Sequence, residues 1–106
     1  MGADILEGLR VLDLTTTIAG PHCARLLADL GARVVKVESP EGDLMRSRPP
    51  LRDGASSAFG QLNAGKRSVV LDLKQPRAVE ILKRLVGHTD LLVENYRPGV
   101  MKRLGL

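Results

Sequence analysis

Apolar residues in this chain fall into two kinds of run. Four are short and nearly continuous: LRVLDL (Leu9 to Leu14), RVVKVE (Arg33 to Glu38), RSVVLDL (Arg67 to Leu73) and DLLVE (Asp90 to Glu94). Runs this short, rich in Val and Leu, predict buried strands rather than helices. Between them the apolar positions take a helical period. Cys23, Leu26, Leu27 and Leu30 stand at i, i+3, i+4 and i+7, and Val79, Leu82, Leu85 and Val86 mark a second such face. Pro21 and Pro76 fall in the opening turns, where a missing N–H has no intrahelical partner; Gly31 and Gly87 follow the last periodic residues. Asn95-Tyr96-Arg97-Pro98-Gly99 leads into a final helical turn, Val100 to Leu104. Strands of this kind separated by helices predict an α/β fold, with right-handed βαβ units on a parallel sheet covered on both faces.

Ser39 to Gly65 breaks the rhythm. It carries Pro40, Gly42, Pro49, Pro50, Gly54, Gly60 and Gly65, with Arg46, Arg48 and Arg52 between them. A connection of roughly 25 residues inside a compact domain implies function or flexibility, and a short helix over Ala55 to Leu62 is expected to interrupt it. No repeat or low-complexity tract occurs. With 106 residues the chain is one small domain. Four short strands with an uncovered edge make residues 1–106 read as a single partial domain.

Composition narrows the chemistry. Aromatics are 2% of the chain, one Tyr and one Phe, too few for a platform on which single-stranded bases stack. The net charge of +4 is modest and scattered, which suits a small anionic ligand as readily as a nucleic-acid backbone. A lone cysteine, Cys23, forms no internal disulfide, and no Cys/His cluster has metal spacing, so no metal site is expected. Cys23 is expected as a small core residue, and His22 and His88 as structural. The start MGADILEGLR lacks the pattern of a leader or an acylation site, and no run approaches the roughly 18–20 apolar residues of a membrane span. A reducing, cytoplasmic setting follows as the expectation.

In open α/β sheets ligands bind beyond the carboxyl ends of the strands, where strand order reverses. That rule selects Thr15 to Gly20, the segment after Glu38, Asp72 to Lys74, and Asn95 to Gly99. The first turn, TTTIAG, has none of the glycine spacing that cradles a dinucleotide. Its hydroxyls and free backbone N–H groups hold a phosphate or carboxylate on one reading; on the other the threonines cap and turn, and Gly20 lets the helix approach the strand. Glu38 is either the acid that holds a ribose hydroxyl or a solvated or capping carboxylate. Lys66, Arg67, Lys74, Arg97, Lys102 and Arg103 are phosphate-type cations or a solvated basic surface. Asp13 and Asp72, inside strand runs, and Asp90, which opens one, are hydrogen-bonded structure or catalytic groups.

Taken in order, GLRVLDLTTTIAGPHCARLLADLGARVVKVESPEGD, NAGKRSVVLDLK and LLVENYRPGVMKRLGL resemble the N-terminal part of the class III CoA-transferases. This CaiB/BaiF-type family includes formyl-CoA transferase, carnitine CoA-transferase and α-methylacyl-CoA racemase. The resemblance runs from about Leu6 to Leu106 and rests on the AGP turn, LGA-x-V-x-K-x-E, N-x-x-K-R-S-x-x-L-D-L-K, V-E-N-Y-x-P-G and the final R-x-G. It implies the N-terminal fragment of a larger fold, with a Rossmann-like lobe that holds coenzyme A and lacks the glycine fingerprint. The residues it brings to the CoA site are Thr16, Thr17, Ile18, Leu71, Lys74, Asn95, Tyr96, Arg97 and Arg103. Cations among them would meet the 3′-phosphate and pyrophosphate, and Leu71 or Tyr96 would shelve the adenine.

The resemblance further implies transfer of CoA between carboxylic acids through an aspartyl anhydride and thioester. CoA and acyl-CoA are then substrates, with no tightly bound cofactor, no nucleic acid and no membrane partner, and the full-length form is a homodimer. No carboxylate here matches the family nucleophile, so no catalytic residue is assigned and the chain alone is expected to be inactive. An α-methylacyl-CoA racemase of the same family, a non-catalytic nucleotide-binding fragment, and an NAD(P)-binding lobe suggested by βαβ order and Glu38 are the alternatives. Two departures stand out. Thr16-Thr17-Ile18 occupies the place of His-Val-Gln in formyl-CoA transferases, pointing away from oxalate toward a bulkier, more apolar acyl group. Ser39 stands where some members carry an arginine facing the adenosine end.

Overall fold

The computed structural model describes residues 4–106; the reading of the chain's start falls partly on residues 1–3, outside them. Four parallel strands form one sheet: β1 (Arg10–Asp13), β2 (Arg33–Glu38), then Arg67–Val70 and Leu91–Val93. A two-stranded antiparallel ribbon, β3 (Leu51–Arg52) with β4 (Ala55–Ser56), lies within the long connection, so the last two sheet strands are β5 and β6. Sheet order is β5-β2-β1-β6. The chain steps outward from β1 through β2 to β5, then returns past β1 to β6. Strand order therefore reverses between β1 and β6, and the crevice expected of such a sheet opens between their carboxyl ends. β2 coincides with its apolar run, whereas β1, β5 and β6 are shorter than theirs, which continue into the adjoining turns.

Helix α1 (Ala19–Asp29) joins β1 to β2. It ends as the sequence predicts: Gly31 at φ +106° donates its N–H to the Ala28 carbonyl, and Ala32 donates to that of Leu27. That pair of hydrogen bonds is the glycine-dependent stop that satisfies orphan carbonyls. The buried face of α1 differs from the expected one. Gly20, Pro21 and Ala24 are buried, with Leu27 and Ala28 partly so, whereas Cys23 is exposed and Leu26 and Leu30 are 48% and 44% accessible. Small residues let α1 lie close on the sheet, which turns the larger side chains outward, and Cys23 is no core residue.

On this side Val11, Ala24, Ala32 and Val34 form one core. On the other, Leu12, Leu14 and Val37 pack with Leu82 of α3 (Pro76–Val86), and Tyr96 and Met101 join them. Pro76 opens α3 as expected, but Val86 is 40% exposed. The alternation along β1 and β2 places Val11, Asp13, Val34, Lys36 and Glu38 on the α1 side. So these strands alternate in burial partner without alternating in polarity.

The long connection is ordered. After β2 come a 3₁₀ turn (Leu44–Ser47), the β3–β4 ribbon and helix α2 (Ser57–Asn63), which packs on α1. Asp43 caps the 3₁₀ turn by accepting from Met45 N–H at 2.9 Å, and the Ser56 hydroxyl caps α2 through Phe59 N–H at 3.3 Å. A last short helix, α4 (Val100–Arg103), follows Gly99, whose φ of +87° makes the turn after β6.

Candidate functional site: the switch-point crevice

Three consecutive threonines follow β1, and four different side chains hold their backbone. Thr15 N–H donates to Asp13 Oδ1 at 2.8 Å, and Lys36 Nζ donates to the Thr15 carbonyl at 2.9 Å. Thr16 N–H donates to Asn95 Oδ1 at 3.1 Å while Asn95 Nδ2 donates back to the Thr16 carbonyl at 2.9 Å. Thr17 N–H donates to Asp43 at 3.2 Å. Each backbone N–H of Thr15, Thr16 and Thr17 is thus already engaged. For these three residues the expected free N–H groups are taken up, which leaves such a cradle to the opening of α1, Ile18 to Gly20, where no side chain caps the helix. Gly20 plays the spacing part assigned to it, since a Cβ on it would stand 2.3 Å from Thr15 Cβ.

Thr17 sits at φ +75°, a conformation that a β-branched residue avoids and that persists only where surroundings over-determine it. Those surroundings are a buried ionic cluster at the carboxyl ends of β1 and β2. Lys36 pairs with Asp43 at 3.0 Å, with side chains 1% and 0% accessible. Lys66 pairs with Asp13 at 2.7 Å, with side chains 2% and 0% accessible, and donates to Asn63 Oδ1 and the Pro21 carbonyl. Glu38 accepts from Arg46 at 2.8 and 2.6 Å, from the Ser68 hydroxyl at 2.6 Å and from Asp43 N–H at 3.0 Å. Bonding from Arg46 holds the Glu38 carboxyl down at about 2, with Ser68 and Asp43 N–H helping and burial opposing. Burial pushes the Lys66 ammonium below its ordinary value, against the pull of Asp13.

This geometry decides two of the alternatives left by the sequence. Glu38 is neither a ribose acid nor a solvated carboxylate, because every bond it makes is internal. Lys66 is no free phosphate cation, because its three donors are spent on Asp13, Asn63 and Pro21. Asp13 finds its partner in Lys66, and Asp90 pairs with Arg10 at the opposite end of the sheet. Sequence reasoning misses the pairing within the cluster, although a signal exists. Asp13, Lys36 and Glu38 interrupt aliphatic strands, and charges in a buried strand need partners of opposite sign.

The remaining candidates fall in two groups. Thr16 meets Asn95 across the point of strand reversal, with Thr17 and Ile18 following it in the same turn. Lys74 and Arg103 line one cleft of about 590 Å³ with Pro76, Val79, Lys83 and Leu104, a size usual for small-ligand sites. Leu71 and Tyr96 are partly buried against the α3-side core; burial, Glu94 and Asp13 raise the Tyr96 phenol. Arg97 is exposed on the turn before Gly99. Among the described residues no group of three or more His, Cys, Asp and Glu side chains could hold a metal, and no helix is long and apolar enough to cross a membrane.

The switch-point crevice of this parallel α/β lobe lacks the glycine spacing of a dinucleotide cradle and carries hydroxyl and amide side chains. Residues 6–106 match the family described as CoA-transferase family III, and the chain belongs to that family as its N-terminal region. It is 51% identical over 108 residues to the succinyl-CoA:mesaconate CoA-transferase of Haloarcula hispanica, covering 97% of this chain and 27% of that protein. With the formyl-CoA:oxalate CoA-transferase of Streptomyces coelicolor it shares 47% over 106 residues, 99% of this chain and 26% of the other. Among solved structures, a CaiB/BaiF family protein from Brucella suis superposes with a TM-score of 0.89 at 40% identity, over 95% of this chain and 28% of that one. The chain spans about a quarter of the length of these relatives.

Proposed function

We propose that this chain is the CoA-binding part of an acyl-CoA transferase that moves CoA between carboxylic acids. The observation that carries the reading is the convergence of Lys74 and Arg103 on one cleft between α3 and the end of α4. The two cations suit the phosphates of CoA, Leu71 and Tyr96 offer an apolar shelf to adenine, and Arg97 stands at the rim. Thr16, Thr17, Ile18 and Asn95 face the crevice toward the thioester end. Ile18 is 50% exposed and favours an acyl group bulkier than formyl.

In the reaction an aspartate carboxylate outside this chain attacks the thioester carbonyl. The C–S bond breaks, CoA leaves as thiolate, and a mixed anhydride forms. The thiolate then attacks the aspartyl carbonyl, giving an enzyme thioester and releasing the first carboxylate. The acceptor acid repeats the sequence in reverse. Both matched relatives named above are CoA-transferases, which supports this reading over an α-methylacyl-CoA racemase. The whole protein is then a cytoplasmic homodimer that uses a CoA thioester and a carboxylic acid, residues 1–106 being one partial domain of it.

Calorimetric titration with CoA, dephospho-CoA and NADH tests the site. CoA is expected to bind, dephospho-CoA about tenfold or more weakly through loss of a charged contact, and NADH not measurably. Equal affinity for all three overturns the assignment.

A further inference from the structure

We propose that Asp43 is a positioning residue for the ligand-facing turn, holding Thr16 to Ile18 in shape from the connection that follows the neighbouring strand β2. Asp43 belongs to the connection after β2, 26 residues beyond Thr17, yet both of its carboxylate oxygens lie within 3.3 Å of Thr17 N–H. Its side chain is fully buried, so this bond is shielded from competing water. One oxygen also accepts Met45 N–H, and the other pairs with buried Lys36, whose Nζ reaches the Thr15 carbonyl. Asp43 and Lys36 therefore grip the turn at both ends, one by a donor and one by an acceptor. Asn95 holds only its middle.

The conformation needs such a grip. Thr17 has φ +75°, where threonine does not stay unaided. Glu38 in turn accepts Asp43 N–H and is clamped by Arg46. The order of the connection is thus transmitted to the turn through one carboxylate. An arrangement that only braced the core would have no reason to end on the one left-handed threonine of the crevice.

The inference rests on the CoA-binding reading, and its tests separate the two. They use the naturally expressed polypeptide that carries this chain. The first needs no ligand: Thr17 is exposed, yet its amide hydrogen is expected to exchange at least about a hundredfold more slowly than an unprotected amide. Exchange at the unprotected rate overturns the proposal. In the second, Asp43→Asn is expected to weaken CoA binding about tenfold, the effect of losing a charged acceptor.

Ser56→Ala is the control, since it removes bonds to Arg48 and Phe59 within the same connection and leaves the turn alone. It is expected to lower the melting temperature while holding CoA affinity within about twofold. Thr17→Gly placed on Asp43→Asn is expected to restore part of the lost affinity, because glycine adopts positive φ freely. Equal losses of affinity in Asp43→Asn and Ser56→Ala, or no rescue by glycine, reduce Asp43 to a structural residue. A wild-type protein that binds no CoA but protects the Thr17 amide sinks the CoA reading and leaves the positioning role standing.

Discussion

A β-carbon on Gly20 would stand 2.3 Å from Thr15 Cβ and 2.4 Å from its Cγ2, well inside van der Waals contact, and both partners are buried. Gly20→Ala must therefore push the start of α1 off the turn that follows β1. Overpacking of this kind costs about 2 kcal/mol and a fall in Tm of roughly 10 °C, which differential scanning calorimetry would read. Because Thr15 anchors the turn through Asp13, a loss of CoA affinity is expected with it; an unchanged Tm would show that the turn yields without strain. Thr17 makes the complementary case. Its left-handed backbone is stabilised by a bond rather than by residue choice, so sequence inspection at position 17 sees an ordinary threonine. Gly20, by contrast, is legible from the sequence alone, because a glycine entering a helix after a strand implies close approach.

At the scale of elements, charge decides how the connection from β2 to β5 is held. Lys66→Met leaves Asp13 fully buried without its counter-ion, and breaking a buried pair in this way costs about 3–5 kcal/mol. Adding Asp13→Asn should recover much of that, since Thr15 N–H can still donate to an amide oxygen; urea midpoints of the single and double variants check it. Glu38 adds a pH dependence of defined sign. Its carboxyl titrates at about 2 against an ordinary 4.5, so its contribution is complete above pH 4.5 and is lost as pH falls toward 2. With Arg46 side-chain exposure of 48% weakening the pair, the contribution is about 2 kcal/mol. Glu38→Gln should flatten the acid limb of the stability profile between those values; an unaltered acid limb would remove Glu38 as its source.

The same elements show what the sequence can and cannot reveal. Strand and helix order are readable because aliphatic runs and helical spacing are local. The ordering of residues 39–65 is not, since it depends on pairs such as Lys36–Asp43 and Lys66–Asp13 that meet only once β1, β2 and the connection are side by side. The burial of α1 departs from its sequence pattern for a related reason. Hydrophobic spacing favours Cys23, Leu26 and Leu30, but close packing favours Gly20, Pro21 and Ala24. Of the candidate site, Thr16 with Asn95 and Lys74 with Arg103 come together as pairs, whereas Lys66 and Glu38 turn inward.

For the molecule as a whole, the decisive matter is where its carboxylates point. Covalent transfer needs an aspartate or glutamate whose oxygen reaches a thioester carbonyl. Asp13, Glu38 and Asp43 stand at the carboxyl ends of the central strands, where such a group belongs, but all three are buried and each is held by an internal cation. A nucleophile locked to an ammonium or guanidinium is both inaccessible and stabilised as the resting anion, which lowers its reactivity. Asp72 and Glu94 lie nearer the surface, yet their carboxylates accept the backbone N–H groups of Lys74 and Tyr96 to shape the turns after the strands. These five carboxylates are thus committed to internal bonds. Residues 1–106 prepared alone are expected to show no transfer of CoA between succinyl-CoA and a free carboxylic acid, as followed by chromatography of the thioesters. On the proposed function, the natural polypeptide that carries this chain should show transfer, and Lys74→Ala with Arg103→Ala should raise its KM for the thioester about tenfold or more with little change in kcat, because phosphate contacts distant from the carbonyl bind ground and transition states alike. Transfer by the isolated lobe would overturn its expected inactivity, and exposed Glu80, which lines the same cleft as Lys74 and Arg103, would be the first carboxylate to substitute.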